Sequence, residues 1–360
     1  MFFVETLTQA LVYLCFAILT GSFILHLIPD TNRPEIKGGL MLASAGIAIF
    51  SFIPVLRLIL YLSSGIGFWQ TMNAVLFSFE VGKTWTFTFI VSSILYIFVI
   101  WFNFQKKPLY SCIGLALTFL LILTLGLSSH ASSLDPIRGF LSHTLHLTAV
   151  SIWVGILLIV SWFSTNEANW QKFLKWFTPV ALVCLGVVIL TGLALISFVM
   201  ELNAYPDSWI IPYGQSLLVK HLLLLPLLVF AVINGVLVKR KWKSKKPFPP
   251  KPWARMESVV ILHIFSATAA LGQQSPPHET IATSAEASKL FTSFYQGSFQ
   301  PDMSILLTLN PTGIILFVLA IVFISIMIQS FLKETPPITA FLMGILSVFC
   351  MYFALMFSIL

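Results

Sequence analysis

Seven histidines stand in this chain of 360 residues, and their spacing is the first indication of chemistry. His143 and His146 are three apart, so on a helix both imidazoles leave the same face. His130 precedes them in the run Ser128-Ser129-His130-Ala131-Ser132-Ser133. Imidazole suits Cu, Zn, Fe and Ni. Three imidazoles converging on one surface therefore read as a metal-capture cluster; the alternative is single histidines each bonded to a neighbouring helix. Trp153 follows His146 by seven residues, on nearly the same face, where it would floor a cavity. A second group is Lys220-His221 with Asn234, fourteen residues after Lys220 and on its face. Lys220 reads as a structural tie or as a cation barrier. A third group is Glu257, His263 and Gln274; His263 lies at a depth where it could meet His221 as a second station. Met200 and Glu201 end the sixth span, Glu5 precedes the first, and Met303 and His278 lie in the last outer loop; thioether with imidazole suits Cu(I). His26 reads as facing the interface and Arg57 as snorkelling to it. Cys15, Cys112, Cys184 and Cys350 are scattered one per span with no C-x-x-C, as small buried hydrophobes would be; Cys184 keeps a second reading as a soft ligand.

What must position these groups is set by composition. Apolar types make up 58% and charged types 9%, with mean hydropathy +0.95. A soluble domain carries about 25% charged residues, so a water-solvated globule and a disordered chain are both excluded. The apolar runs predict an all-α polytopic transmembrane bundle of about ten spans: Thr6–Ile28, Gly38–Leu62, Trp85–Phe104, Leu109–Leu127, Phe140–Phe163, Trp176–Met200, Tyr213–Val238, Met256–Gln273, Pro311–Leu332 and Ile338–Leu360. The eighth is the weakest, being short and holding Glu257 and His263. The segment 274–310 has room for one short surface helix. The first run lacks the basic flank of a cleavable signal peptide and is expected to be a retained helix. One integral membrane domain over 1–360 is expected, with no soluble domain.

Fifteen of the 20 Lys and Arg fall in the odd-numbered loops, three in the even ones, and two inside spans. The positive-inside rule then puts the odd loops in the cytoplasm and both termini outside. His130, His143 and His146 come to the outer surface. Nine of ten Trp sit at or beyond span ends, as an interfacial belt requires, and Trp153 is the exception. The basic run from Lys239 to Arg255, beside a membrane, suits anionic lipid and orientation rather than nucleic acid. No P-loop, nucleophile elbow, H-E-x-x-H or dinucleotide fingerprint is present, which points away from an enzyme.

The order of these features resembles the CopD family of bacterial copper-handling membrane proteins. The matching residues are Ser129-His130-Ala131, His143-x-x-His146 with Trp153-x-Gly155, Lys220 with Asn234, Ala270-Leu271-Gly272 to Pro276-Pro277, and Gly82-Lys83-Thr84-Trp85. The resemblance covers about 5–277 and leaves an outer loop and two further helices over 278–360. It departs from the family at Ser129, where Gly is common. Some relatives also carry a CopC-like β-sandwich on the outer side, for which these spans leave no segment. The resemblance implies copper, Cu(I) or Cu(II), imported across a bacterial cytoplasmic membrane. It also implies delivery in trans by a separate CopC-like protein. In that reading His130, His143 and His146 capture the ion, His221 and His263 relay it, and Trp153, Lys220, Asn234 and Met200 line or gate the path. Two other readings stand beside it: a copper-resistance protein that binds without transporting, and a membrane oxidoreductase holding b-type haem between His221 and His263.

Overall fold

Among the described residues, ten helices are long and apolar enough to cross a membrane, in agreement with the apolar runs. The computed structural model describes residues 1–28, 34, 36–104, 107–165, 167, 169–243, 248–277, 287–295, 297 and 303–359. His278 lies outside them. The helices are α1 Phe2–Leu27, α2 Lys37–Ile66, α3 Phe68–Ser78, α4 Glu80–Trp101, α5 Pro108–Leu127, α6 His130–Leu134, α7 Arg138–Leu158, α8 Trp170–Val199, α9 Pro212–Val232, α10 Val238–Lys243, α11 Lys251–Leu271, α12 Lys289–Phe294, α13 Pro311–Leu332 and α14 Pro337–Phe357. Helices α5, α9, α11, α13 and α14 open on a proline in their first turn. Proline's fixed φ suits that position and its missing N–H costs nothing there. Among the described residues the only β pairing is an isolated bridge between Leu307 and Ile359.

The chain divides into two compact units, residues 1–198 and 199–360. In the first, α1 is central and packs on α2, α5 and α7. Val12, Phe16, Leu19 and Phe23 of α1 meet Leu95 of α4 and Leu121 of α5 in its core. At the crossing of α1 and α7 the two backbones touch. A Cβ on Gly21 would collide with the backbone of Gly155, and one on Gly155 with the carbonyl of Ala17. Small residues permit this approach, which in lipid supplies the packing energy that a hydrophobic effect cannot.

Arg57 does not merely snorkel. Its Nη1 bonds both carboxylate oxygens of Glu5 at 3.1 Å, tying α2 to α1. Glu5 lies inside α1 with its side chain 2% exposed, whereas Arg57 is 59% exposed. Removing Arg57 strands a buried charge. Arg57→Met is therefore expected to cost roughly 1–3 kcal/mol, less than for a fully buried pair because the guanidinium is half in solvent. Adding Glu5→Gln should restore most of the loss. Thermal melting of the two variants in detergent checks this; a double variant no more stable than the single would dismiss the pair as a tie.

Helix α3 was not expected. It turns back at Gly67, whose φ of +85° only glycine adopts readily, and lies against the start of α4. Gly82 allows this, since a Cβ there would strike the carbonyl of Val75. One turn on, Trp85 Nε1 donates to the Ala48 carbonyl at 3.0 Å and its ring sits 4.4 Å from that of Phe52. The segment Gly82-Lys83-Thr84-Trp85 is thus a packing device.

In the second unit, α9 packs on α11 and α14, and α13 and α14 form an antiparallel hairpin. Gly344 of α14 brings the backbone close to Pro226 of α9. The hairpin turns through Glu334, which has a φ of +59° and pairs with Lys241 at 2.6 Å. Tyr352 donates to Gln215 Oε1 at 2.6 Å, and Gln215 Nε2 donates to the Trp209 carbonyl at 2.5 Å. Helix α12 is the short surface helix for which 274–310 had room.

Candidate functional site

Helix α7 carries His143 and His146 one turn apart, both half-buried. Its start is fixed by Asp135. That carboxylate accepts the Arg138 backbone N–H at 2.8 Å, the Arg138 Nε at 2.7 Å and the Ile137 N–H at 3.2 Å. The Arg138 amide first, then its guanidinium, hold the carboxyl below the usual aspartate value. Before it, α6 starts at His130, which is exposed. Ser129 is the N-cap and accepts the Ser132 N–H at 3.3 Å. Its φ of −79° is extended backbone open to any residue. Serine therefore sits here without strain and is an accepted cap. Ala131 of α6 abuts Gly139, one turn before His143, so α6 is seated on the helix that bears the other two imidazoles.

His146 Nδ1 lies 3.0 Å from Thr191 Oγ1 on α8. The threonine has one hydroxyl proton, and Oγ1 also stands 2.6 Å from the Val187 carbonyl, which can only accept. That shorter bond claims the hydroxyl proton, so Thr191 accepts from His146 Nδ1–H. The neutral ring then has its lone pair on Nε2, the form in which imidazole ligates a metal. Seven residues along each helix, Cys184 approaches the backbone of Trp153. Trp153 is 5% exposed.

Three side chains from His, Cys, Asp and Glu close enough to hold a metal ion are not found together among the described residues. The structure thus seats His130, His143 and His146 on one packed pair of helices without closing them into a ligand shell. His26 was expected at the interface, but it is 5% exposed and its Nδ1–H donates to the Ser22 carbonyl at 2.7 Å. With Lys37 and Asn103 it lines a small cavity of about 50 Å³.

In the second unit His221 Nδ1 is 2.8 Å from the Tyr205 hydroxyl. Burial pushes the Tyr205 phenol up to about 12, so it keeps its proton at neutral pH and can donate. With the phenol as donor, the ring proton of His221 sits on Nε2, the reverse of His146. His263 is exposed, donates Nδ1–H to the Val259 carbonyl at 2.8 Å, and faces Phe341. The structure does not bring the two imidazoles into contact. Lys220 is half-buried and joins no ion pair among the described residues. Asn234 reaches across to α11 and donates Nδ2–H to Glu257 Oε2 at 2.7 Å. Met200 directly follows α8 and is buried; Glu201 is exposed. Met303 packs on the core of this unit. Thr191 and Tyr205 are the partners that histidine spacing missed.

Known proteins supply the context. The family described as Copper resistance protein D matches residues 171–271, a narrower stretch than the motifs suggested. A protein of Bacillus subtilis (strain 168) named Copper transport protein CutJ is 29% identical over 150 residues, which is 40% of this chain. The match spans 26% of that relative's length, so the chain corresponds to about a quarter of it. No solved structure matches. The matched stretch carries Thr191, Lys220, His221, Asn234, Glu257 and His263, and over it the chain is similar to the family described as Copper resistance protein D.

Proposed function

We propose that this multi-pass membrane protein carries copper inward across a bacterial cytoplasmic membrane, capturing the ion at the end of α7 where His130, His143 and His146 lie. The observation that carries the reading is the seating of His146 against Thr191: with the hydroxyl proton given to Val187, Thr191 accepts from His146 Nδ1–H, and the lone pair of the neutral ring lies on Nε2. The family and the named relative support copper as the ion. Capture is by recruitment: the three imidazoles start apart on α6 and α7, and the arriving ion draws them together. A CopC-like protein delivering copper from outside fits an entrance of exposed His130. His221 serves as a second station only after its ring proton moves from Nε2 to Nδ1, where it donates to Tyr205 and leaves the lone pair on Nε2; His263 joins it there. Lys220, a cation with no acidic partner among the described residues, resists passage until the ion is bound.

Purified protein in lipid vesicles tests this directly. Copper should accumulate inside the vesicles with the unmodified chain and not with His143→Ala/His146→Ala. Binding without accumulation would leave the resistance reading, and a Soret band in the purified protein would favour the haem reading. Orientation is read in intact cells, in a background lacking the four native cysteines. Cysteine at exposed Ser133 should react with a membrane-impermeant thiol reagent and cysteine at exposed Lys333 should not. The reverse labelling would make the capture site an exit.

A further inference from the structure

Two acidic side chains are buried within spanning helices, and they are treated differently. Glu5 is matched by Arg57. Glu257, 3% exposed and seven residues into α11, joins no ion pair among the described residues. Among the described residues its one hydrogen bond comes from Asn234 Nδ2, and Asn234 is itself 7% exposed. The other end of that amide, Oδ1, is buried and has no hydrogen-bond donor among the described residues. Asn234 lies in the π-helical turn Ile233–Leu237 that ends α9, a local widening of the kind common at functional sites.

We propose that Glu257 and Asn234 form a proton-binding site inside the membrane. An isolated carboxylate at this depth is costly, and only a cation or a proton relieves it. The asparagine is suited to both states of the acid. Its N–H₂ donates to the carboxylate; turned by 180°, its Oδ1 accepts from the carboxylic O–H. Loading forms an O–H bond on Glu257 with a proton from water, and unloading returns that proton to water as the amide turns back. A soft copper ion is poorly served by carboxylate and amide oxygens. A hard metal ion wants about six or more oxygens where these two side chains bring three.

The surroundings leave Glu257 to Asn234. Helices α9 and α14 pack on α11. On α9, Lys220 and His221 are about 20 Å along the axis from Asn234. Beyond the π turn, Lys239, Arg240 and Lys241 follow, with Lys241 held by Glu334. On α14, residues 337–344 include no titratable group, and Cys350 and Tyr352 lie further along. On α11 itself, Lys251 and Arg255 precede Glu257, and His263 is bonded to Val259. If the transport reading holds, a proton moving through this site is the counter-charge that drives copper; the site itself does not depend on that reading.

Infrared difference spectra of the vesicle-reconstituted protein, taken between acidic and alkaline buffer, test the site. A carboxylic-acid carbonyl band should come and go with pH, vanish in the isosteric Glu257→Gln, and shift in Asn234→Leu. A spectrum unchanged by Glu257→Gln overturns the proposal. If Glu257→Gln fails to fold, an unshifted band in Asn234→Leu overturns it equally. A band that responds to exchanging Na⁺ for K⁺ at constant pH would assign the site to sodium instead, and also overturns it. A trapped pH dye then reads coupling. Copper-driven proton movement should fall to background in Glu257→Gln, with copper binding at His143 and His146 retained. Absence of copper flux in the unmodified protein would fail the transport reading alone, leaving the infrared result to judge the site.

Discussion

Replacing His146 with alanine is expected to weaken copper binding by more than the roughly 10–100-fold that orienting partners of a metal-bound histidine contribute. Thr191→Val should fall within that 10–100-fold range. Valine keeps the shape of threonine but offers no oxygen to the Nδ1 proton, so the ring loses its fixed tautomer and its aim. Thr191→Ser keeps the oxygen and should bind close to the unmodified protein. His26→Ala is the control, because His26 is buried on its own helix with its Nδ1 proton given to Ser22. Copper titration of the four purified variants, with circular dichroism to confirm folding, reads the result. Equal affinity in His146→Ala and His26→Ala would remove α7 from the binding site. A Thr191→Ser variant as weak as Thr191→Val would show that Thr191 acts by packing and not by hydrogen bonding.

Gly155→Leu is expected to be the most damaging single substitution for stability. A side chain at this position meets the carbonyl of Ala17, and backbone within a helix cannot swing aside as a side-chain tip can. Overpacking in a core costs about 1–3 kcal/mol where neighbours can yield, and here the cost should exceed about 3 kcal/mol. Leucine at Gly186 of α8, where nothing lies within 4 Å of the added carbon, is the matched control. Detergent melting temperature and yield should drop sharply for the first and little for the second. Equal melting of the two would mean that α1 and α7 separate easily, and with them the support of the histidine helix.

Much of the architecture could be read from residue order because membrane spans are governed by one rule. Long apolar runs broken by Pro29-Asp30, Lys107-Pro108 or Pro249-Pro250 leave little choice of boundary. Helix α3 escaped because its eleven residues, Phe68–Ser78, are too short to span and too apolar to look like a loop. Only Gly67 marks the turn. The face shared by His143 and His146 was legible from the helical period. Thr191 was not, since a threonine in an apolar span is ordinary until the ring opposite it is known. The same limit explains Arg57 and Asn234. Their partners lie 52 and 23 residues away on other helices, and periodicity within one helix carries no information about which neighbour it meets. His26 failed for a related reason: position near a span end suggested the interface, but the packing of Phe104 over the ring buries it.

Helix α8 is 30 residues long, about 45 Å at 1.5 Å per residue, against a hydrocarbon layer of about 30 Å. Few of its side chains are buried, and beyond its first turns these are Cys184 and Thr191. A helix so much longer than the layer must lean, bend at Pro179 or project from the surface. With few protein contacts beyond its first turns, its tilt is expected to follow the thickness of the surrounding lipid. Since Thr191 rides on this helix, the aim of the His146 ring is then expected to differ between thin and thick bilayers.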